Sequence, residues 1–163
     1  MINQFVRVRV SKIHGRGVFA KVDIPKGTRI IEYIGEKITK AESDRRADVV
    51  LQKSKLKGTG AVYIFQLNQR YDIDGNVKSN LARYINHACE TNCESDVIRG
   101  HIWIVATKNI KKGEELFYDY GYNMDNWEEH PCLCNKQGCI GFIVSKNLRW
   151  RVKKKLAQKN HRK

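Results

Sequence analysis

From Phe5 to Val10 the chain alternates valine and arginine at a period of two, which predicts a strand with one face buried. His14-Gly15-Arg16-Gly17 interrupts that pattern and Val18-Phe19-Ala20 resumes it. Pro25-Lys26-Gly27 predicts a turn, followed by a strand from Thr28 to Ile34 that Gly35 closes. Thr39-Lys40-Ala41-Glu42 has the spacing of a capping box, so a helix is expected from Lys40 to about Lys53, ended by Gly58-Thr59-Gly60. Ala61 to Leu67 is rich in β-branched and aromatic residues and predicts a strand, with a second short one and its turn at Tyr71 to Gly75. Asn80 to His87 predicts a short helix, and His101 to Lys108 and Glu115 to Tyr118 predict strands. After Ser145 the chain is expected to be helical or without fixed structure.

One internal echo crosses this pattern. Ala20, Ile24-Pro25-Lys26-Gly27 and Ile30 recur as Ala106, Ile110-Lys111-Lys112-Gly113 and Leu116, 86 residues further on at identical spacings. Each copy predicts strand, Lys-Gly turn, strand. The expectation is a mostly-β domain with a few short helices and pseudo-symmetric halves. Helix does not alternate with strand, so a doubly wound sheet is disfavoured.

The 163 residues are 41% hydrophobic, enough for the core of one domain. No apolar run is long enough to span a membrane, and the first residues lack a signal-peptide core, so the chain reads as intracellular. The net charge of +14 is unevenly spread. Lys146 to Lys163 holds nine Lys or Arg and no acid, whereas Glu90 to Glu129 holds nine acids against four bases. The general reading is of solvated faces; the sharper one is a basic anchoring tail beside an acidic surface suited to a cationic peptide.

Four clusters carry candidate chemistry. The paired glycines of His14-Gly15-Arg16-Gly17 allow a ligand close to the backbone, with Arg16 available to a carboxylate. Asn86-His87-Ala88-Cys89 sets an amide, an imidazole and a thiol in one stretch. Tyr118 and Tyr120, two apart at a strand end, share a face on which their hydroxyls line one channel. Cys132, Cys134 and Cys139 have spacing suited to a tetrahedral metal, with the fourth ligand open among Cys89, Cys93 and His130.

Together these clusters resemble the SET-domain lysine methyltransferases that carry a cysteine-rich post-SET segment. The resemblance runs over about residues 5–145, from His14-Gly-Arg-Gly through Glu32-Tyr33-Ile34-Gly35, Tyr63-Ile64-Phe65, Asn80 to Cys93, Glu114 to Tyr120 and Cys132 to Cys139, in the family's order. Ala88, Thr91 and Leu133 depart from residues frequent there.

The resemblance implies a β-clip-like SET fold in which the Asn-His and Tyr-Asp-Tyr segments form a pseudoknot. It divides the chain into a SET domain at 5–122 with a helical insert at 38–62, a post-SET zinc segment at 123–145 and a basic tail at 146–163. It implies S-adenosylmethionine as cofactor, with contacts at His14, Arg16, Tyr63, Asn86 and His87, and zinc held by Cys89, Cys132, Cys134 and Cys139. Tyr120 matches the family's catalytic tyrosine, Tyr118 the position that influences how many methyls are added, and Tyr63 is grouped with them. The expected reaction is transfer of a methyl group to a deprotonated lysine of a histone tail or another basic protein. Weak DNA or RNA contact through the basic tail is expected beside it, with no membrane partner. The expected location is the nucleus or chromosome in a eukaryote, and the cytoplasm or an infected host in a microbe. The alternative is a zinc-containing, basic nucleic-acid- or chromatin-binding module without catalysis.

Overall fold

The computed structural model describes residues 3–57 and 62–160. In chain order its strands are β1 (Val6–Val10), β2 (Arg16–Ala20), β3 (Arg29–Tyr33), β4 (Glu36–Thr39), β5 (Ile64–Gln66), β6 (Tyr71–Asp74), β7 (Asn86–His87), β8 (Cys93–Ile98), β9 (His101–Ala106) and β10 (Phe117–Tyr118). Helix α1 (Lys40–Lys57) follows β4, and α2 (Arg149–Asn160) comes after the last strand. The protein is therefore mostly strand, as its patterning predicts. Among the described residues no helix is long and apolar enough to cross a membrane.

The chain gathers into two compact units that do not follow chain order. One takes the residues up to Thr28, Tyr84–Glu94 and those from Ala106 onward; the other takes Arg29–Arg83 and Ser95–Val105.

In the first unit β1 pairs antiparallel with β2, Val6 opposite Ala20 and Val10 opposite Arg16. The alternation buries Val6 but leaves Val10 at 84% exposure. The echoed turns pair with each other. Ile24 and Ile110 exchange both backbone hydrogen bonds, at 2.8 and 2.9 Å. Gly27 N–H donates to the Ala106 carbonyl, and its counterpart Gly113 N–H donates to the Ala20 carbonyl. Both glycines sit at positive φ, 84° and 89°, where a side chain would be strained. The repeat in the sequence is thus a local two-fold in space.

The segment expected as one short helix at 80–87 divides. Leu81–Tyr84 forms a single 3-10 turn, and Asn86–His87 becomes β7, parallel to β10 with Asn86 opposite Phe117 and His87 opposite Tyr118. The strand forms because the folded chain lays β10 alongside this segment, a long-range contact that the local helical pattern does not contain. The same unit holds two apolar clusters. One joins Ala88, Cys89, Phe117, Cys132 and Cys134. The other joins Trp127, Val144 and Val152, with Phe142 and Leu156 packed against it. Val152 is fully buried, an anchor of about 1.5–3 kcal/mol, so the basic segment is fixed by its apolar face.

In the second unit β9 lies between β3 and β8, and β6 lies between β4 and β5. Strands β4 and β8 had no signal in the patterning; β8 exposes four of its six residues. Thr39 caps α1 by accepting the Glu42 N–H at 3.3 Å, as the capping box predicts, and the helix continues to Lys57. The expected stop at Gly58-Thr59-Gly60 and the first strand residue, Ala61, lie outside the described residues, as do the last residues of the basic tail. Arg46, on the first turns of α1, meets Glu42, Glu36 and Asp74 at 2.6–2.8 Å.

Candidate active site and thiol cluster

The parallel pairing of β7 with β10 positions the site. Asn86 is buried, and its amide nitrogen donates to the Arg16 carbonyl at 3.0 Å, the His14 carbonyl at 3.4 Å and Glu115 Oε1 at 3.0 Å. Ser11 holds the second Glu115 oxygen at 3.0 Å. Gly17 leaves room for this carboxylate: a Cβ there would stand 2.1 Å from Glu115 Oε1 and push the Glu115 side chain from its place. One side chain thus gathers the His14–Gly17 loop against the strand that leads into Tyr118. The Arg16 guanidinium lies 5.4 Å from the Tyr84 ring centre, a cation held beside an aromatic face.

His87 is buried, and its Nδ1 accepts the Tyr120 N–H at 3.2 Å, which places a neutral ring's proton on Nε2. Burial lowers its pKa to about 4; the Asp119 carboxylate opposes the shift and Arg149 adds to it. Tyr120 is half-buried and donates its hydroxyl to the Ile85 carbonyl at 3.0 Å. Its ring centre lies 5.1 Å from that of Tyr118, 5.4 Å from His87 and 5.8 Å from Tyr122. Tyr122 in turn meets His130 edge-on at 5.0 Å, and burial raises its phenol pKa. The two tyrosines expected on one face do lie in contact, their rings tilted 48° to each other, and the cluster brings side chains 33 residues apart together.

Tyr63 belongs to the second unit. There its carbonyl accepts the Tyr33 hydroxyl at 2.8 Å, and its ring lies 5.2 Å below the Arg83 guanidinium.

The sulfurs of Cys89, Cys132, Cys134 and Cys139 all lie within 4.8 Å of one another. Cys89 and Cys132 are 3.8 Å apart, matching the edge of a tetrahedron built from Zn–S bonds of about 2.3 Å. Three of the four thiols are buried, and the donor set suits zinc. At Cys134 burial raises the pKa, but N–H groups of Cys89 and Lys136 and the neighbouring thiols outweigh it and bring the value to about 7. Cys93 and His130, both open as fourth ligand on spacing alone, stand outside this group. Cys93 is buried separately at the start of β8, and burial pushes its thiol up to about 12. It stays protonated.

Several partners had no signal of their own. Asn92 braces β10 by donating to the Glu115 carbonyl and accepting the Phe117 N–H, both at 2.8 Å. Arg149, inside a run of basic residues, reaches Asp119 at 2.9 Å and the Cys89 carbonyl at 2.6 Å. Its position 30 and 60 residues from those partners hides it from any local pattern.

Residues 15–121 match the SET domain family. The chain is 37% identical over 144 residues to a protein of Emericella nidulans named histone-lysine N-methyltransferase, H3 lysine-4 specific, covering 85% of this chain and 12% of that protein. It is 38% identical over 143 residues to the Drosophila melanogaster histone-lysine N-methyltransferase trithorax, covering 85% of this chain and 4% of the relative. A Plasmodium falciparum variant-silencing SET domain-containing protein is 36% identical over 147 residues, 86% of this chain and 6% of that one. The chain thus spans a small fraction of the length of these curated relatives.

Proposed function

The chain belongs to the SET-domain family, and from that premise we propose that it is a protein-lysine N-methyltransferase using S-adenosylmethionine. The observation that carries the reading is the meeting of Asn86, His87 and Tyr120 around the β7–β10 pair. The cofactor, when bound, supplies an electrophilic methyl group on a sulfonium. Asn86 keeps the His14 and Arg16 carbonyls in place for it, and Arg16 offers its guanidinium to a carboxylate. The zinc site is assigned to Cys89, Cys132, Cys134 and Cys139, and Tyr63 is assigned a substrate or cofactor contact.

Tyr120 is the proposed catalytic residue. Its hydroxyl is fixed by the Ile85 carbonyl, so its oxygen is held ready to orient the amine or to meet polarised C–H groups. A free lysine has a pKa near 10.4 and must lose its proton first. His87 is neutral and accepts from the backbone, and Asp119 is committed to Arg149, so neither is free to take that proton. Desolvation among the tyrosines favours the neutral amine, and solvent carries the proton away. What remains is positioning, worth several kcal/mol when the reacting atoms are aligned. Tyr118, buried at 8% exposure, narrows the room for a methylated amine and favours monomethylation.

The substrate class is a histone tail or another basic protein, and the names of the fungal relatives make the fourth residue of histone H3, a lysine, the first target to test. In a eukaryote this places the protein at chromatin; in a microbe, in the cytoplasm or in a host. The exposed cations Arg151, Lys153, Lys154 and Lys155 of α2, beside Trp150 at 59% exposure, support weak accompanying contact with DNA or RNA. That contact should weaken steeply with salt.

The test is methyl transfer from labelled cofactor to recombinant histone H3, to H3 with that target lysine replaced by arginine, and to a panel of basic proteins. Label on H3 that the arginine replacement removes supports the full reading. Cofactor binding by calorimetry with no transfer to any basic protein would leave the non-catalytic chromatin module in its place.

A further inference from the structure

Arg149 opens α2, and its side chain turns inward, 12% exposed, while the following cations face solvent. Its planar fork makes three contacts: Nη2 to Asp119 Oδ2 at 2.9 Å, Nη1 to the Cys89 carbonyl at 2.6 Å and Nε to the Val144 carbonyl at 3.0 Å. Asp119 stands between Tyr118 and Tyr120. Its Oδ2 also accepts the Lys146 N–H at 2.7 Å, and its Oδ1 accepts the Gly121 N–H at 3.0 Å. The turn that presents Tyr120 is therefore held from the C-terminal side through one carboxylate, and Arg149 ties that carboxylate to the end of the Asn86–Cys89 segment.

We propose that Arg149 is a positioning residue for methyl transfer, acting through Asp119 to fix the Tyr120 hydroxyl, so that α2 is part of the catalytic apparatus. The proposal rests on the methyl-transfer reading above. Two features separate it from a merely structural role. The helix has a second hold besides Arg149, Val152 and Leu156 in the Trp127 cluster. And the three contacts diverge in one plane, a geometry that a guanidinium satisfies and a lysine ammonium meets only in part. A shift of about 1 Å in a reacting group is enough to cost on the order of a hundredfold in rate.

The experiment compares the full chain with Arg149→Ala, Arg149→Lys and a charge-loss control, the double variant Arg7→Ala/Arg9→Ala at exposed positions of β1. Steady-state kinetics on a histone H3 peptide, away from nucleic acid, are read beside thermal midpoints. Arg149→Ala should lower kcat at least about tenfold with both KM values within about twofold and the fold retained. Arg149→Lys should recover part of the loss, millimolar guanidinium should restore kcat to Arg149→Ala, and the double variant should match wild type. Wild-type kcat in Arg149→Ala overturns the proposal, as does an equal loss in the double variant, or a loss that guanidinium and lysine both leave unrepaired. Absence of transfer by the wild-type chain overturns the methyl-transfer reading and this one with it; a silent Arg149→Ala on an active wild type overturns this one alone.

Discussion

Asn86 and Cys89 lie three residues apart, yet the centres they anchor gain their order from different sources. Around Asn86 the fold supplies the partners of the amide nitrogen. The amide holds two carbonyls and Glu115, and Ser11 holds the other Glu115 oxygen. Around Cys89 the fold brings four sulfurs together and meets them with backbone N–H groups, Cys134 from Cys89 and Cys139 from Gly141. Thiols packed this closely reach full stabilisation only when a metal takes them as thiolates. The first centre is a hydrogen-bond network built from the chain alone; the second is a set of four thiols that we propose depends on an ion for its stability. The lesson is that chemically adjacent sites can respond to entirely different perturbations.

The largest expected effect uses that difference. A strong chelator should abolish methyl transfer while the strand signal in circular dichroism persists, because the thiol cluster loosens and the Asn86 network does not. Full activity in protein shown by elemental analysis to be zinc-free would break the coupling between the two centres. Next comes Tyr120→Phe, which removes one hydroxyl and its bond to the Ile85 carbonyl. Turnover should fall roughly a hundredfold through lost positioning, with calorimetric cofactor affinity nearly unchanged; turnover at the wild-type rate would refute the role given to Tyr120.

Asn86→Ala should act in the opposite sense to chelation. It leaves the Glu115 carboxylate and two carbonyls short of a donor, at a cost of about 1–3 kcal/mol in stability whether or not metal is present. Denaturant midpoints with and without chelator would expose the idea as wrong if the loss vanished in the metal-free protein. Smaller still is Tyr118→Phe, expected to shift products by a few fold from monomethyl- toward di- and trimethyl-lysine in mass spectra. A wild-type protein yielding mostly trimethyl-lysine would already sink that expectation. The smallest effect belongs to Cys93→Ala. With its thiol buried and protonated, the change should cost about 1 kcal/mol and leave the bound zinc per chain unchanged; a lost equivalent of zinc would place Cys93 in the site after all.

Much of this was legible in the residues themselves. The capping box at Thr39 marked the start of α1 because a cap is a local event, with its hydrogen bond reaching only three residues. The echoed Lys-Gly turns were visible because positive φ demands glycine wherever the rest of the chain goes. The thiol spacing showed three ligands of a candidate metal site, and the tyrosine spacing showed a shared face. Position 86, by contrast, was read as helix, since nothing nearby says that β10 will arrive beside it. Strand β8 was missed because most of its residues are exposed, which leaves no alternation to read.

The sequence by itself determined where the turns and the helix cap fall and which family the chain resembles, and it marked the candidate residues for the chemistry. Those properties depend on a residue's own conformational limits and on neighbours a few positions away. Tertiary structure alone decided that Ile24 and Ile110 pair as a two-fold and that Arg149 reaches Asp119, and it brought Cys89, left open by spacing and named only through the family resemblance, to the other thiols. Each of these is a contact between distant segments. Hydrogen-bond partners and burial are chosen there by what else the folded chain brings to the same place, and no local pattern encodes that choice.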